Sequence, residues 1–236
     1  MTFSSPEEKR TYVNRMFARI ARRYDLMNCL MTGGQDVRWR RLVVQAANLP
    51  AEGGRLLDIA AGTGDIAFEA LRQHPRLSLV VAADFTLPMM RVGQGRAAGR
   101  PVRWQAADTL RLPYPDDFFD AVVSGFLLRN VVDVRRALAE QTRVCRPGGR
   151  VVAMDVPRPA DTLFGRLFKF YFHRIVPVVG GIVSGQRDAY TYLPASADAF
   201  LRPDELRGVM EEIGLRGVRY RMLMFGTVAL HVGEKG

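Results

Sequence analysis

The stretch Arg55-Leu-Leu-Asp-Ile-Ala-Ala-Gly-Thr-Gly-Asp65 decides the fold. Arg55 to Ile59 reads as a strand, a glycine-rich turn follows, and Ile66 to Gln73 continues as a helix. A Gly-x-Gly turn after a strand brings backbone amides close to a ligand, because glycine has no Cβ and takes positive φ freely. Gly62-Thr63-Gly64-Asp65-Ile66-Ala67 also satisfies the Gly-x-Gly-x-x-Gly/Ala dinucleotide pattern, so a nicotinamide or flavin site is one reading. The acids favour another. Asp58 precedes the turn and Asp65 follows it, and a carboxylate at the helix start repels a pyrophosphate but attracts a cation. S-adenosylmethionine, a nucleoside with an ammonium, a sulfonium and no phosphate, has that charge profile. On the turn alone, both ligand classes stay open.

Downstream, strand and helix alternate, the pattern of a parallel sheet with helices on both faces. Leu79 to Ala83 is a strand stopping at Asp84, Leu87 to Ala97 a helix, and Val102 to Ala106 a strand followed by Asp108. Phe119 to Ser124, the helix Val134 to Val144, the turn Arg146 to Gly149 and the strand Arg150 to Asp155 complete the alternation. Ligands of such sheets sit at the carboxyl ends of the strands, where Asp58, Asp84 and Asp108 all fall. An ionised Asp84 accepts two hydrogen bonds from ribose hydroxyls, and Asp108 with Thr109 is placed to accept from an adenine amino group. Each acid alone also suits a helix N-cap. Pro203 to Ile213 is a helix opened by proline, and Val218 to Met224 with Thr227 to Val232 reads as an antiparallel pair around Gly226.

Two segments stand outside the alternation. Glu7 to Met31 reads as one helix with Val13, Met16, Phe17, Ile20, Tyr24 and Met27 on one face, and Arg15, Arg19, Arg22 and Arg23 away from it. It suits a packed lid near the cofactor cleft, or a basic helix on an anionic membrane surface. Gly33-Gly34 breaks it, and Asp36 to Asn48 forms a second helix, giving a helical cap over residues 1–50 ahead of the 51–236 domain. The second segment, 157–200, contains Phe164-Gly-Arg-Leu-Phe-Lys-Phe-Tyr-Phe-His-Arg-Ile175. Placed after the fifth strand, it is positioned to cover the sheet's carboxyl end and enclose an apolar chamber, although ordinary packing accounts for many of its aromatics.

Composition limits the options. The 236 residues, 48% hydrophobic and 25% charged, suit one α/β domain with an elaboration. Two cysteines, Cys29 and Cys145, make neither a disulfide framework nor a metal-ligand spacing, which favours a reducing compartment. Met1 to Arg10 has no apolar signal character, and no run approaches the about 18–20 apolar residues of a membrane span, so a cytoplasmic location is expected. The net charge of +10, from 34 basic against 24 acidic residues, favours anionic partners, either nucleic acid or lipid headgroups, or else reflects arginine-rich coding. No aromatic-basic strand motif or appended module supports RNA.

The chain resembles the ring C-methyltransferases of menaquinone and ubiquinone biosynthesis, a family of class I S-adenosylmethionine enzymes. The likeness runs from Met16-Phe-Ala-Arg-Ile-Ala-Arg-Arg-Tyr-Asp-Leu-Met-Asn28 to Val228-Ala-Leu-His-Val232. Its more specific marks are Leu112-Pro-Tyr-Pro-Asp116, Leu128-Arg-Asn-Val131 and Ser184-Gly-Gln-Arg-Asp-Ala-Tyr-Thr-Tyr-Leu-Pro-Ala-Ser196. The resemblance implies a Rossmann-like α/β fold: a mostly parallel seven-stranded sheet, helices on both faces and a C-terminal antiparallel hairpin. It implies that Asp58, Gly62, Thr63 and Gly64 line the methionine end of S-adenosylmethionine, with Asp84 and Phe85 at the ribose and Asp108 and Thr109 beside the adenine. Gly125 stands near the cofactor where the family usually has serine, and Leu127 where it usually has glycine. Arg129 and Asn130 would sit at the reacting end.

Methyl transfer from sulfonium to carbon is an in-line displacement that loses positive charge, so a dry apolar site and positioning suffice and no metal is expected. A hydroquinone carbon becomes nucleophilic once a ring hydroxyl is deprotonated. Arg129 would stabilise that phenolate, its alternative being a local salt bridge to Asp133. Tyr190 and Tyr192 are further hydrogen-bonding groups for the acceptor. The expected acceptor is a polyprenyl quinol, most simply demethylmenaquinol, with a ubiquinone-precursor benzoquinol or another small aromatic as the alternative. Peripheral contact with the inner membrane face, no nucleic acid partner and room for a homodimer complete the expectation.

Overall fold

The computed structural model describes residues 3–236; Met1 and Thr2 of the expected cap, and the Ser184 side chain of the third specific mark, lie outside the description. Helices α1 (Pro6–Ile20), α2 (Tyr24–Thr32) and α3 (Gln35–Ala47) come first. Then strands β1 (Arg55–Ile59), β2 (Leu79–Asp84), β3 (Val102–Ala106) and β4 (Phe119–Gly125) alternate with α4 (Asp65–Gln73), α5 (Leu87–Arg96) and α6 (Val134–Val144). Beyond β5 (Cys145–Asp155) run α7 (Leu163–Phe170), a π-helical segment (Tyr171–Ile175), α8 (Val176–Ser184) and α9 (Arg187–Asp198). Helix α10 (Pro203–Glu212) and strands β6 (Leu215–Leu223) and β7 (Val228–Lys235) close the chain.

The seven strands form one sheet in the order β3-β2-β1-β4-β5-β7-β6. Strands β1 to β5 are mutually parallel, and β7 runs antiparallel to both β5 and β6. The order reverses between β1 and β4, so the crevice beyond their carboxyl ends is the ligand position of an open α/β sheet. The central strands β1, β2, β4 and β5 are largely buried on both faces, whereas the edge strands β3 and β6 are partly exposed. Leu56 packs to one side with Val43, Ala67 and Val123, while Leu57 packs to the other with Val122, Leu138 and Val151. Truncating either leucine to alanine would cost about 2–5 kcal/mol.

Local chemistry sets most boundaries. Ser5 caps α1, accepting from the Glu8 amide at 3.1 Å, with Pro6 at the first turn. Asp133 caps α6 through the Arg136 amide at 2.8 Å. The 7–31 helix is corrected to two: a 3-10 turn at Ala21–Arg23 splits it into α1 and α2. The split redirects α2 so that Met27 joins Met16 and Ile20 in a third core, shared with Val176, Ala189 and Leu193 of the 157–200 segment. The fifth strand begins at Cys145, not Arg150, because Cys145 already pairs with Phe119 before a register shift. Cys145 is buried and its thiol is pushed up to about 12 by that burial.

Candidate active site

Two adjoining cavities lie beyond the carboxyl ends of the strands. The first, an open cleft, is walled by the β1, β2 and β4 ends and by α1. Gly62 takes φ +57° at its mouth and donates its amide to Asp84 Oδ2 at 2.8 Å. Gly64, at φ +84°, is doubly constrained, since a Cβ there would stand 2.5 Å from Trp104. The Thr86 amide holds the other Asp84 oxygen at 2.6 Å. Burial, the leading cause, raises the Asp84 carboxyl above its ordinary value, against the opposing backbone hydrogen bonds. Each carboxylate oxygen retains acceptor capacity toward the cleft.

Among the expected cofactor residues, Gly62, Asp84, Phe85, Asp108, Thr109 and Gly125 line this cleft. Asp58, Thr63 and Gly64 stand behind it. Asp58 is fully buried, takes the Ala67 amide at 3.1 Å on Oδ2 and leaves Oδ1 without a hydrogen-bond partner. Burial, chiefly, and then the neighbouring Asp84 and Asp65 push its carboxyl well up. The Thr63 hydroxyl donates to Asp25 Oδ1 at 2.7 Å and so ties the turn to α2. Asp65 departs from the expected role: Arg40 at 2.9 Å and Arg96 at 2.7 Å neutralise it. Asp65, so paired, gives no charge argument against a bound pyrophosphate. Asp108 is engaged in an Asx turn with the Leu110 amide at 3.0 Å, and the Thr109 hydroxyl beside it is buried without a partner.

Several lining residues lie outside the sequence expectation. Arg10 reaches Asp108 at 3.3 Å and stacks over Phe85 at 4.4 Å, closing the cleft from α1. It stands three and seven residues before Val13 and Phe17, on the same side of the helix, but no local spacing reports its partners Asp108 and Phe85. Ala60 and Phe126 line the cleft at φ +54° and +58°, strained values for residues with a Cβ, and no sequence signal marks them.

The second cavity is bounded by α2, α3, the segment after β4, the helices of 157–200 and the β6–β7 connection. Phe17, Tyr24 and Phe126 line both cavities, so the two meet there. Arg129 lines the second and Asn130 the first. The expected Asp133 alternative for Arg129 is replaced: Arg129 pairs with Asp155, both side chains almost fully buried. Asp133 serves instead as the α6 cap. Arg129 also stacks over Phe126 at 5.2 Å, and its Nε–H has no hydrogen-bond partner. Asn130 donates to the Phe126 carbonyl at 2.8 Å and leaves Oδ1 unpaired. From α1, Lys9 donates to the Val131 carbonyl at 2.6 Å and holds this segment down.

Tyr190 lies outside both linings; it is buried against Gly180, where a Cβ would meet its ring at 2.2 Å. The Tyr192 ring is 5.4 Å from that of Tyr12, and burial pushes its hydroxyl up to about 12. His173 bonds Asp198 at 2.8 Å and His231 bonds the Pro203 carbonyl at 3.0 Å, both away from the cavities. The Leu112–Asp116 segment is braced by Glu140 and Arg143, which bond Leu112, Tyr114 and Asp116. That mark is a scaffold.

A seven-stranded sheet with an antiparallel β7 inserted between β5 and β6, a Gly-x-Gly turn after its first strand and an open cleft at the order reversal is the arrangement of the class I methyltransferases. A SAM-dependent methyltransferase from Thermotoga maritima shares the fold, with a TM-score of 0.67 over 95% of this chain and 100% of that one at 18% identity. The family model of the ubiE/COQ5 methyltransferase family matches residues 5–235, and the chain belongs to that family. The demethylmenaquinone methyltransferase of Roseiflexus castenholzii is 46% identical over 98% of this chain and 96% of its own length. The ubiquinone/menaquinone biosynthesis C-methyltransferase UbiE of Geobacter sulfurreducens is 42% identical over 97% and 90% respectively.

Proposed function

We propose that this methyltransferase moves the methyl group of S-adenosylmethionine to a ring carbon of demethylmenaquinol. One observation carries the reading: a largely apolar cleft bearing the acids Asp84 and Asp108 meets an aromatic cavity at Phe17, Tyr24 and Phe126, and a buried arginine lines that cavity with an unpaired Nε–H. The names of the relatives point to the same acceptor. When bound, S-adenosylmethionine supplies an electrophilic methyl on a sulfonium.

The chain's own groups do the rest. Asp84 accepts from ribose hydroxyls, Thr109 meets the adenine edge, and the orphaned Asp58 Oδ1 is a free acceptor on the methionine side of the turn. Arg129, oriented by Asp155, directs its free donor at a ring oxygen and stabilises the phenolate that makes the ring carbon nucleophilic. Asn130 lines the donor cleft beside Arg129. Phe17 and Phe126 keep water from the meeting point, where the C–S bond breaks as the C–C bond forms. Tyr190 supports the cover without touching the acceptor. The protein works in the cytoplasm at the inner face of the quinone-bearing membrane, with no nucleic acid partner.

Labelled S-adenosylmethionine and reduced demethylmenaquinone are the test. Labelled menaquinol is expected; label recovered only on nucleic acid would overturn the assignment. The dual name of the Geobacter relative supports a second acceptor, the ubiquinone-precursor benzoquinol. Mass spectrometry of quinones from a complemented methyltransferase-deficient host separates the two.

A further inference from the structure

The segment from Leu163 to Ser184 is one helix in three parts. Backbone angles stay in the right-handed helical region through Phe170, Tyr171, Ile175 and Val176, so α7, the π segment and α8 join without a break. Its 22 residues span about 33 Å. Leu163, Leu167, Phe170, Ile175, Val178 and Ile182 are all exposed, from 44% at Ile175 to 85% at Leu163. Their spacings are four, three, five, three and four. The step of five crosses the π segment, whose wider turn absorbs one extra residue. Without it, Ile175, Val178 and Ile182 would rotate out of line with Leu163, Leu167 and Phe170. The π turn keeps six large apolar side chains on one outward stripe.

The opposite side of the same helix is the cavity wall, for Phe168, Tyr171, Phe172 and Val176 line the aromatic cavity. Both faces are therefore apolar, an arrangement that an ordinary surface helix avoids. Phe225, at the tip between β6 and β7, continues the patch. It is 86% exposed, sits at φ +55° and packs its ring 5.5 Å from Phe164. Its neighbour Met224 lines the cavity. Arg166, Lys169 and Arg174 border the stripe and are exposed. The partners Asp161 of Arg166 and Asp198 of Lys169 leave those cations more than half exposed.

We propose that this stripe and Phe225 dock on a bilayer with anionic headgroups, the helix lying in the interfacial plane, and that a prenyl tail enters the cavity from this face. The tail path rests on the quinol assignment above; the docking surface does not. An apolar stripe edged with cations is the pattern of an in-plane helix, and continuity of its inner face with the acceptor cavity selects lipid over a second protein copy as the occupant. A water-insoluble acceptor then never crosses solvent.

Vesicle flotation tests the surface, using phosphatidylglycerol–phosphatidylcholine and pure phosphatidylcholine vesicles with the full chain. Wild type is expected to float with the anionic vesicles, and a Leu163→Ser, Leu167→Ser, Ile182→Ser variant to bind at least about tenfold more weakly. None of the three lines either cavity, so methylation of a short-chain water-soluble quinol should stay within about twofold while turnover of the long-chain quinol in vesicles falls about tenfold. As a second probe, Leu167→Trp should show fluorescence quenched by brominated acyl chains, beyond the wild-type signal. Wild type remaining unbound, equal binding by the triple variant, or no added quenching overturns the proposal. So does a dimer that the triple variant converts to monomer without any vesicle binding. If vesicles bind but no quinol of any length is methylated, the acceptor assignment fails and the surface stands.

Discussion

The donor cleft and the acceptor cavity touch, yet they are built by different means. The cleft is made at strand ends: Gly62, Asp84, Asp108 and Gly125 each occupy or directly follow the end of a strand whose register the sheet fixes. The acceptor cavity takes only Phe126, Val156 and Val228 from strand ends. Most of its lining comes from side chains of α1, α2, α3, α7, the π segment, α8 and α9, mostly aromatic or aliphatic, brought together by a third core over the sheet. Backbone geometry thus suits the cosubstrate, which has one shape. Side-chain packing between helices suits the acceptor, because these positions can change without disturbing the sheet.

The sharpest way to break this division is at Arg129, which faces the acceptor side. Arg129→Ala is expected to lower kcat by about 10²–10³-fold with donor affinity within threefold. Removing it also leaves Asp155 as an unpaired buried charge, worth about 3–5 kcal/mol of stability. The Arg129→Ala, Asp155→Asn double variant removes that charge, so it should regain most of the lost thermal stability but none of the activity. Recovery of turnover in the double variant would make Arg129 a scaffold residue.

Asp84 tests the donor side. Asp84→Asn keeps the volume but loses charge-assisted acceptance, costing about 2–4 kcal/mol, some 30- to 1000-fold in donor Kd by calorimetry. Acceptor KM should not move. The sign of the pH effect follows from burial, which raises this carboxyl in the folded chain above its ordinary 3.8. Its contribution to stability is present below that ordinary value and lost as pH rises through the raised one. Donor binding, which needs the ionised form, should therefore strengthen as pH climbs through the same window, and Asp84→Asn should remove the Asp84 part of that dependence. A pH-independent wild-type affinity would contradict the role.

The two regions also differed in how far the sequence revealed them. Glycines and acids at strand ends are few, polar and regularly spaced, so the strand pattern located the cleft and its reversal point. Asp65 misled because its partners, Arg40 and Arg96, come from α3 and α5, and no local spacing reports such a meeting. Arg10 was hidden for the same reason. The split of the first helix left no glycine or proline at residues 21–23, being set by packing of Met27 against the 157–200 helices. The specific marks divided by role. Leu128–Val131 lies where the cavities meet, whereas Leu112–Asp116 is a brace, and a sequence pattern looks alike for both.

A smaller effect probes the joint between the regions. The Thr63 hydroxyl bonded to Asp25 is the link from the glycine turn to α2, and Arg96 holds the same carboxylate at 2.5 Å. Thr63→Val removes one hydrogen bond of about 1 kcal/mol. Donor affinity should fall about fivefold with kcat unchanged. A drop in kcat instead would mean that the cap positions the acceptor through this contact, and the separation of roles would fail at that point.

The smallest change asks whether the donor cleft is complete. Gly125 lines it where the resemblance expects serine, so one hydroxyl is absent from the wall. A Cβ there would stand 3.0 Å from Ile66 Cδ1 and 3.8 Å from Met154 Cε, both ends of flexible side chains and neither of them backbone. A shift of the Ile66 tip by a few tenths of an ångström relieves the contact. Gly125→Ser should then add a polar contact of about 0.5–1.5 kcal/mol, tightening donor binding by about two- to tenfold in calorimetry while leaving acceptor KM alone. Weaker binding would mean that Ile66, packed beneath α4 against the sheet, cannot yield. The glycine would then be a fixed part of a tighter cleft, and even this strand-end position would depend on side-chain packing as the acceptor cavity does.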